Sequence, residues 1–401
     1  MTLPDYPRTF WLLVVGTLVN RIGLLVLPFL SLYLTAARGL SVEQATLVIG
    51  FHGAGAFAAG IAGGALADAL GRKAVLVGSL AGGAVLMAAI PFAGASWHLG
   101  AIVAAYGFVG EMYRPAVSAV VADTVEPERQ TRAFALLYWA INVGAAVGPA
   151  LGGLLAERSF GLLFTVDAAT MAIYAGVVAV GISETRPART GTAHVLERPH
   201  TVGHALRDGR LIGLALVSFA VGTAFVQTYV TLPLVMRADG IPAGTYGAVV
   251  GLNGAIVVLL SLPVARWMER RHGSAPLAAA VALIGVGVGA FAFADSAWEY
   301  AGGIVLLSLG EIVVLPVLPA LVARLAPDGL RATYQGVHQS GWGLAHMLSP
   351  VAGGAVLARL GADALWAATL GLALAAAAVV LAFRLGDAGA GTPSVPAPDV
   401  F

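Results

Sequence analysis

The sequence predicts an all-α integral membrane protein of twelve transmembrane helices in two pseudo-symmetric six-helix bundles, with both termini cytoplasmic. Three observations predict it. The chain is 59% hydrophobic and only 11% charged, whereas a soluble domain carries about 25% charged residues. Its apolar residues fall into twelve stretches, each near the roughly 20 residues a helix needs to cross a bilayer. Two polar-marked segments about 200 residues apart repeat each other. In lipid a backbone must satisfy its polar groups within its own segment, so these stretches are helices rather than strands. The 52 glycines suit helices that pack closely in a membrane.

The first span, 10–36, follows "MTLPDYPRTF". That opening lacks a cleavable signal pattern, and the apolar run is too long for a signal core. Spans two and three, 45–67 and 74–94, flank the polar stretch "GALADALGRK", Gly64 to Lys73. Spans four to six cover 98–122, 131–155 and 161–182. Residues 183–210 are the only long polar segment between spans and separate the bundle of 1–182 from that of 211–385. The second bundle holds spans 211–236, 244–265, 275–294, 298–324, 331–358 and 362–384. The tail 386–401, "GDAGAGTPSVPAPDVF", is rich in Gly and Pro and is expected to be disordered.

The cations set the orientation. With the N-terminus cytoplasmic, sixteen Lys and Arg fall on that side, Arg72 and Lys73 among them. Only Arg38, Arg158, Arg237 and Arg359 fall on the other, which is the asymmetry of the positive-inside rule. Arg21 and Arg114 lie within spans.

The repeat is specific. Gly110-Glu111 opens one copy and Gly310-Glu311 the other, and both end in Pro-x-x-Gly-Gly, at Pro149 and Pro350. Spans four and five thus match ten and eleven in the same orientation. This is how a transporter of two similar halves is organised, with a site between halves that rock against each other.

Several function classes are excluded. Net charge is +1 with no basic tract, so no nucleic-acid partner is expected. There is no cysteine, no phosphate-cradling Gly-Lys-Ser/Thr loop and no cluster with metal-ligand spacing. No nucleophile–base pair is evident, so the chain is not expected to be an enzyme and no cofactor is implied. The energy source is then an ion gradient or the substrate's own gradient.

Here a resemblance becomes specific. "GALADALGRK" resembles the cytoplasmic signature between spans two and three of the major facilitator superfamily, roughly G-x-x-x-D-[RK]-x-G-[RK]-[RK]. "GAAVGPALGG", with Gly144, Gly148, Pro149, Gly152 and Gly153, resembles the fifth-span motif of that superfamily's drug:proton antiporters. The resemblance covers the whole chain in topology and residues 60–155 in motif detail. It departs at Ala69, where the family usually has a cation. It implies the major facilitator fold and a cytoplasmic gate of Gly64, Asp68, Gly71, Arg72, Lys73 and Asp123, with Asp68 facing the start of span eleven. Helix geometry agrees: Gly64 and Asp68 share a face, and an acid suits a helix N-terminus. The sequence alone allows a plainer reading, in which Arg72 and Lys73 only fix topology. The Gly/Pro run of span five is likewise open to a plain small-residue packing role.

Ionisable residues inside a bilayer are costly and mark pathways. The candidates for proton coupling or cation recognition are Glu311 first, then Asp167 and Glu111. Glu311 has no cation within a turn of its own helix, whereas Glu111 can pair with Arg114 three residues on. Gln335, His338, Gln339, Trp342 and His346 share one face of span eleven. They are expected to line a cavity with Asn20, Arg21, Tyr113, Arg114, Tyr138, Asn142, Gln227 and Tyr229.

The function these features and the resemblance imply is proton-coupled export of small amphipathic or cationic compounds by alternating access. The chain would act as a monomer in the lipid of the cell (plasma or inner) membrane. A transporter of a sugar, peptide or other metabolite is the nearest alternative, and a non-transporting receptor or scaffold is an alternative of another class.

Overall fold

A computed structural model describes residues 6–185, 205–268, 273–327 and 330–387. The expected linker 183–210 and tail 386–401 therefore lie mostly outside the described residues. Among the described residues the chain is helical, without strands. The first half contains α1 (Arg8–Ile22), α2 (Val42–Leu70), α3 (Arg72–Ala89), α4 (Ser96–Glu111), α5 (Tyr113–Thr124), α6 (Pro127–Arg158) and α7 (Phe160–Gly181). The second contains α8 (Gly209–Val230), α9 (Leu232–Ala238), α10 (Ala243–Met268), α11 (Ser274–Gly289), α12 (Ala297–Leu325), α13 (Arg331–Leu360) and α14 (Ala362–Ala382).

Local chemistry sets several of these boundaries. Ser41 and Gln44 form a capping box at the start of α2, and Ser296 and Glu299 form one at the start of α12. Asp208 accepts from Arg210 N–H and Leu211 N–H at the start of α8 (2.9 and 3.3 Å). Pro127 opens α6, a position where its missing N–H costs nothing.

Nine helices among the described residues are long and apolar enough to cross a membrane. The expected spans 45–67, 98–122 and 331–358 are helical but fall outside that group. The span expected at 98–122 is divided at Met112 into α4 and α5, and α13 carries its polar face of Gln and His residues. The first expected span is also divided. The α-helix stops at Ile22, and the chain continues through short helical turns from Leu27 to Ala37. Likewise Thr231 separates α8 from α9.

The packing repeats as the sequence does. In the first half α1 lies on α6, α2 on α4, and α3 on α7. In the second, α8 lies on α13, α10 on α12, and α11 on α14. The halves meet chiefly where α2 crosses α13 and α6 crosses α10, and these two pairs exchange under the same repeat. The turns after α1 add contacts to α8 and α9.

Candidate functional site

The crossings between the halves are built from small residues. Along α2 and α13 the close approaches run from Thr46 against Gly354, through Gly50 against Val351 and Gly53 against the His346 backbone, to Phe57 against Gly343. Along α6 and α10 they run from Gly153 against Ala243, through Gly247 against the Pro149 carbonyl, to Gly254 against Ala146. A side chain at Gly53, Gly153, Gly247 or Gly254 would collide with backbone, and one at Gly50, Gly343 or Gly354 with a facing side chain, so their lack of one is what lets the halves touch. Two polar contacts close the same end. Arg359 Nε donates to Glu43 Oε1 at 2.8 Å, and Gly244 N–H donates to Glu157 Oε1 at 2.8 Å.

Toward the opposite end the contact is lost. Gly60, about one turn beyond Phe57, and Gly336, about two turns beyond Gly343, have open space where a Cβ would stand. Tyr138, Gln339 and His346 are exposed there. The halves therefore enclose a cleft, shut at the Glu43–Arg359 end and open toward the Arg72 end.

The Gly/Pro motif sits at the shut end and has two faces. Gly144, Gly148 and Gly152 recur every four residues and seat α1 and the chain just after it, against Arg21, Ile22, Leu25 and Phe29. Gly153 and the Pro149 carbonyl face α10. The motif thus holds α1, α6 and α10 together where α1 stops being helical. It also positions Arg21, whose Nη2 donates to Tyr113 Oη at 2.6 Å.

Glu311 lies 6% exposed on α12, facing the other half. Asn253 Nδ2 of α10 donates to its Oε2 at 2.5 Å and to Ser308 Oγ at 2.9 Å. Tyr138 of α6 and Tyr229 of α8 lie within electrostatic reach of the carboxyl. No cation pairs with it among the described residues. Glu111, its counterpart in the repeat, differs. Arg114 Nε ion-pairs with its Oε2, and Arg114 Nη2 donates to Oε1 at 3.3 Å. The third candidate acid, Asp167, is fully buried on α7, and its Oδ2 accepts the N–H of Val26 at 3.2 Å. It caps the helical turns that restart the chain after the α1 break, instead of facing the cleft.

The remaining candidates divide. Trp342 packs on Phe225, with ring centroids 5.9 Å apart, and His346 Nδ1 bonds the Trp342 carbonyl at 3.0 Å. Three are engaged within one half. Gln227, 1% exposed, donates to the Ser349 carbonyl (2.9 Å) and accepts from Thr231 (2.8 Å). His338 shares a hydrogen bond with Ser218 (3.0 Å), and Gln335 donates to the Pro319 carbonyl (2.8 Å). Asn142 and Asn20 are buried, and Asn142 donates to the Tyr138 carbonyl one turn back on its own helix (2.8 Å).

At the Arg72 end, Arg72 Nε donates to Asp123 Oδ2 at 3.1 Å. Gly71 turns the chain at φ +106°, and the Glu184 carboxylate behind it accepts the N–H groups of Arg72 (2.8 Å) and Lys73 (3.3 Å). Gly64 and the side chain of Asp68 lie outside the described residues, and the expected contact of Asp68 with the start of α13 lies outside them too.

The residues that sequence reasoning missed are partners distant along the chain: Asn253 for Glu311, Glu184 for the signature turn, and Glu157 and Glu43 at the shut end. None carries a local signal; each is a single polar residue in an apolar or ordinary loop context.

A family model described as Major Facilitator Superfamily matches residues 13–270 and 214–399. The chain is 28% identical to the uncharacterised MFS-type transporter YttB of Bacillus subtilis (strain 168), over 94% of this chain and 95% of that one. It is 26% identical to the multidrug resistance protein MdtH of Aeromonas hydrophila, over 86% and 87%. A crystal structure of the nucleoside transporter NupG superposes with a TM-score of 0.80 at 12% identity, over 94% and 99% of the two chains. Two half-repeats closing on a cleft through glycine-lined crossings, a signature turn held by Arg72 and Asp123, and a family match along nearly the whole length lead to one conclusion: the chain belongs to the Major Facilitator Superfamily of membrane transporters.

Proposed function

We propose that the chain is a proton-coupled antiporter of twelve spans that exports small amphipathic or cationic compounds by alternating access. The observation that carries the reading is Glu311: a carboxyl between the halves, held by a neutral amide, with no paired cation among the described residues. A carboxyl so placed can exchange a proton for a cationic or hydrogen-bonding solute. Neutralising it removes the cost of a buried charge, and ionising it gives the solute a partner. Glu111 is already paired with Arg114, and Asp167 caps a chain break, so both rank behind it.

The sixteen-to-four excess of cations assigns the Arg72 end to the cytoplasm. The cleft then opens inward, and the contacts Glu43–Arg359 and Glu157–Gly244 form the outer gate. The Arg72–Asp123 pair belongs to the inner gate, where Asp68 is expected to meet α13 when the cleft closes. The likeness to MdtH supports drug-like solutes, and the aromatic side chains of Tyr138 and Tyr229 near Glu311 suit them. The protein would work as a monomer in the cell membrane.

The exposed polar side chains of Arg114, Gln339 and His346 favour a second reading, a transporter of a sugar, peptide or other metabolite. Purified protein in proteoliposomes under an imposed pH gradient, offered a panel of cationic dyes and polar metabolites, separates the two. Proton efflux driven by the dyes supports the antiporter; accumulation of a metabolite along with protons refutes it.

A further inference from the structure

His52 belongs to none of the roles above. It lies in the middle of α2, 8% exposed, and its Nε2 is buried without a hydrogen-bond partner among the described residues. A buried imidazole nitrogen without a partner is a costly feature, and native structures keep few of them. Its surroundings are specific. The Tyr106 ring of α4 lies against the imidazole, with centroids 5.4 Å apart. Gly107 packs on the His52 carbonyl, and the next residue of α2, Gly53, packs on the His346 backbone of α13. His52 therefore stands where two helices of one half meet one helix of the other, beside the closest approach of α2 to α13.

The charged and titratable groups facing it are Glu111 of α4, Arg114 of α5, His346 of α13 and Tyr106. Glu111 is the only anion among them, and Arg114 already holds both of its oxygens. An imidazolium at position 52 would gain no acceptor of its own while α2 and α13 stay in contact. It would add a positive charge near Arg114 and His346 on a ring nitrogen that is itself buried, where an uncompensated charge is expensive. Of these groups only His346 belongs to the other half, so parting α2 from α13 at this level takes it away from the ring and relieves that cost.

We infer that His52 is a proton-binding switch of the α2–α13 crossing: neutral, it lets the halves close as seen here; protonated, it drives that crossing open. Imidazole is the side chain that changes charge nearest neutrality, so modest acidification suffices. This inference rests on the reading that the two halves part at α2–α13 during transport. It does not require Glu311 to carry the coupled proton.

The chain has no cysteine, so spin labels at Ala37→Cys and Ala358→Cys report the distance across that crossing without background. In detergent and without substrate, lowering the pH from 8 to 5.5 is expected to move the ratio of open to closed populations at least about tenfold, the effect of one pH unit of linkage. His52→Gln, or His52→Asn should the first not yield folded protein, is expected to flatten this profile. A folded neutral variant that retains the wild-type response overturns the proposal, as does a wild type with no response. Failure of the transport reading looks different: no substrate shifts the distance in any variant.

Discussion

Gly153→Ala tests whether the shut end is held by close backbone approach. A Cβ at position 153 would stand 2.5 Å from the Ala243 carbonyl oxygen, 2.7 Å from Gly244 Cα and 3.0 Å from the Ala243 carbonyl carbon. All three are backbone atoms of the other half, so no side chain can swing aside. Relief must come from moving α10 away from α6. Overpacking of one methyl against unyielding neighbours costs about 1–3 kcal/mol. Here the cost falls only on the closed state, so the closed-to-open ratio should drop by about 5- to 150-fold. Double electron–electron resonance between labels at Ala37→Cys and Ala358→Cys measures it, with Gly302→Ala as control because a Cβ there meets open space. An unchanged distance distribution in Gly153→Ala would refute the reasoning, as would an equal shift in the control.

Three further outcomes are expected. Arg72→Gln and Asp123→Asn should each lower the melting temperature. The double variant should lose less than their sum, by about 0.5–3 kcal/mol of coupling, because the two side chains share one contact at 12% and 18% exposure; strict additivity in thermal unfolding would deny the pair any role. Asp167→Ala should cost about 1–3 kcal/mol by leaving the Val26 N–H unmet, whereas Asp167→Asn keeps an acceptor and should keep proton coupling in vesicles. Arg359→Gln should change the open fraction less than about fivefold, since an ion pair as exposed as 73% and 44% contributes about 0.2–1 kcal/mol; spin-label distances check it.

What was legible in the sequence follows from periodicity. Gly144, Gly148 and Gly152 fall on one face because a helix repeats every 3.6 residues, and that face packs on α1. The repeat of Gly110-Glu111 and Gly310-Glu311 appears as equivalent packing of the two halves. What was not legible depends on partners and on dihedral angles. The break after Ile22 lies within an unbroken apolar run, and hydropathy records composition, not backbone angles. Asp167 reads as an acid near a helix end until the break is known, and only then as its cap. Gln227 and His338 share a helical face or apolar setting with true cleft residues, yet the angle at which α8 meets α13 turns them into contacts within one half. Glu311 found its partner 58 residues away on α10, a distance at which no local pattern operates.

The central claim is that Glu311 exchanges its proton for solute. Proteoliposomes with Glu311→Gln measure it most directly when the same preparation is tested for solute counterflow at equal pH and for uphill transport under a pH gradient. Counterflow is expected to persist while gradient-driven uphill transport and solute-driven proton release are lost. Uphill transport at the wild-type rate in Glu311→Gln, with proton release intact, would contradict it.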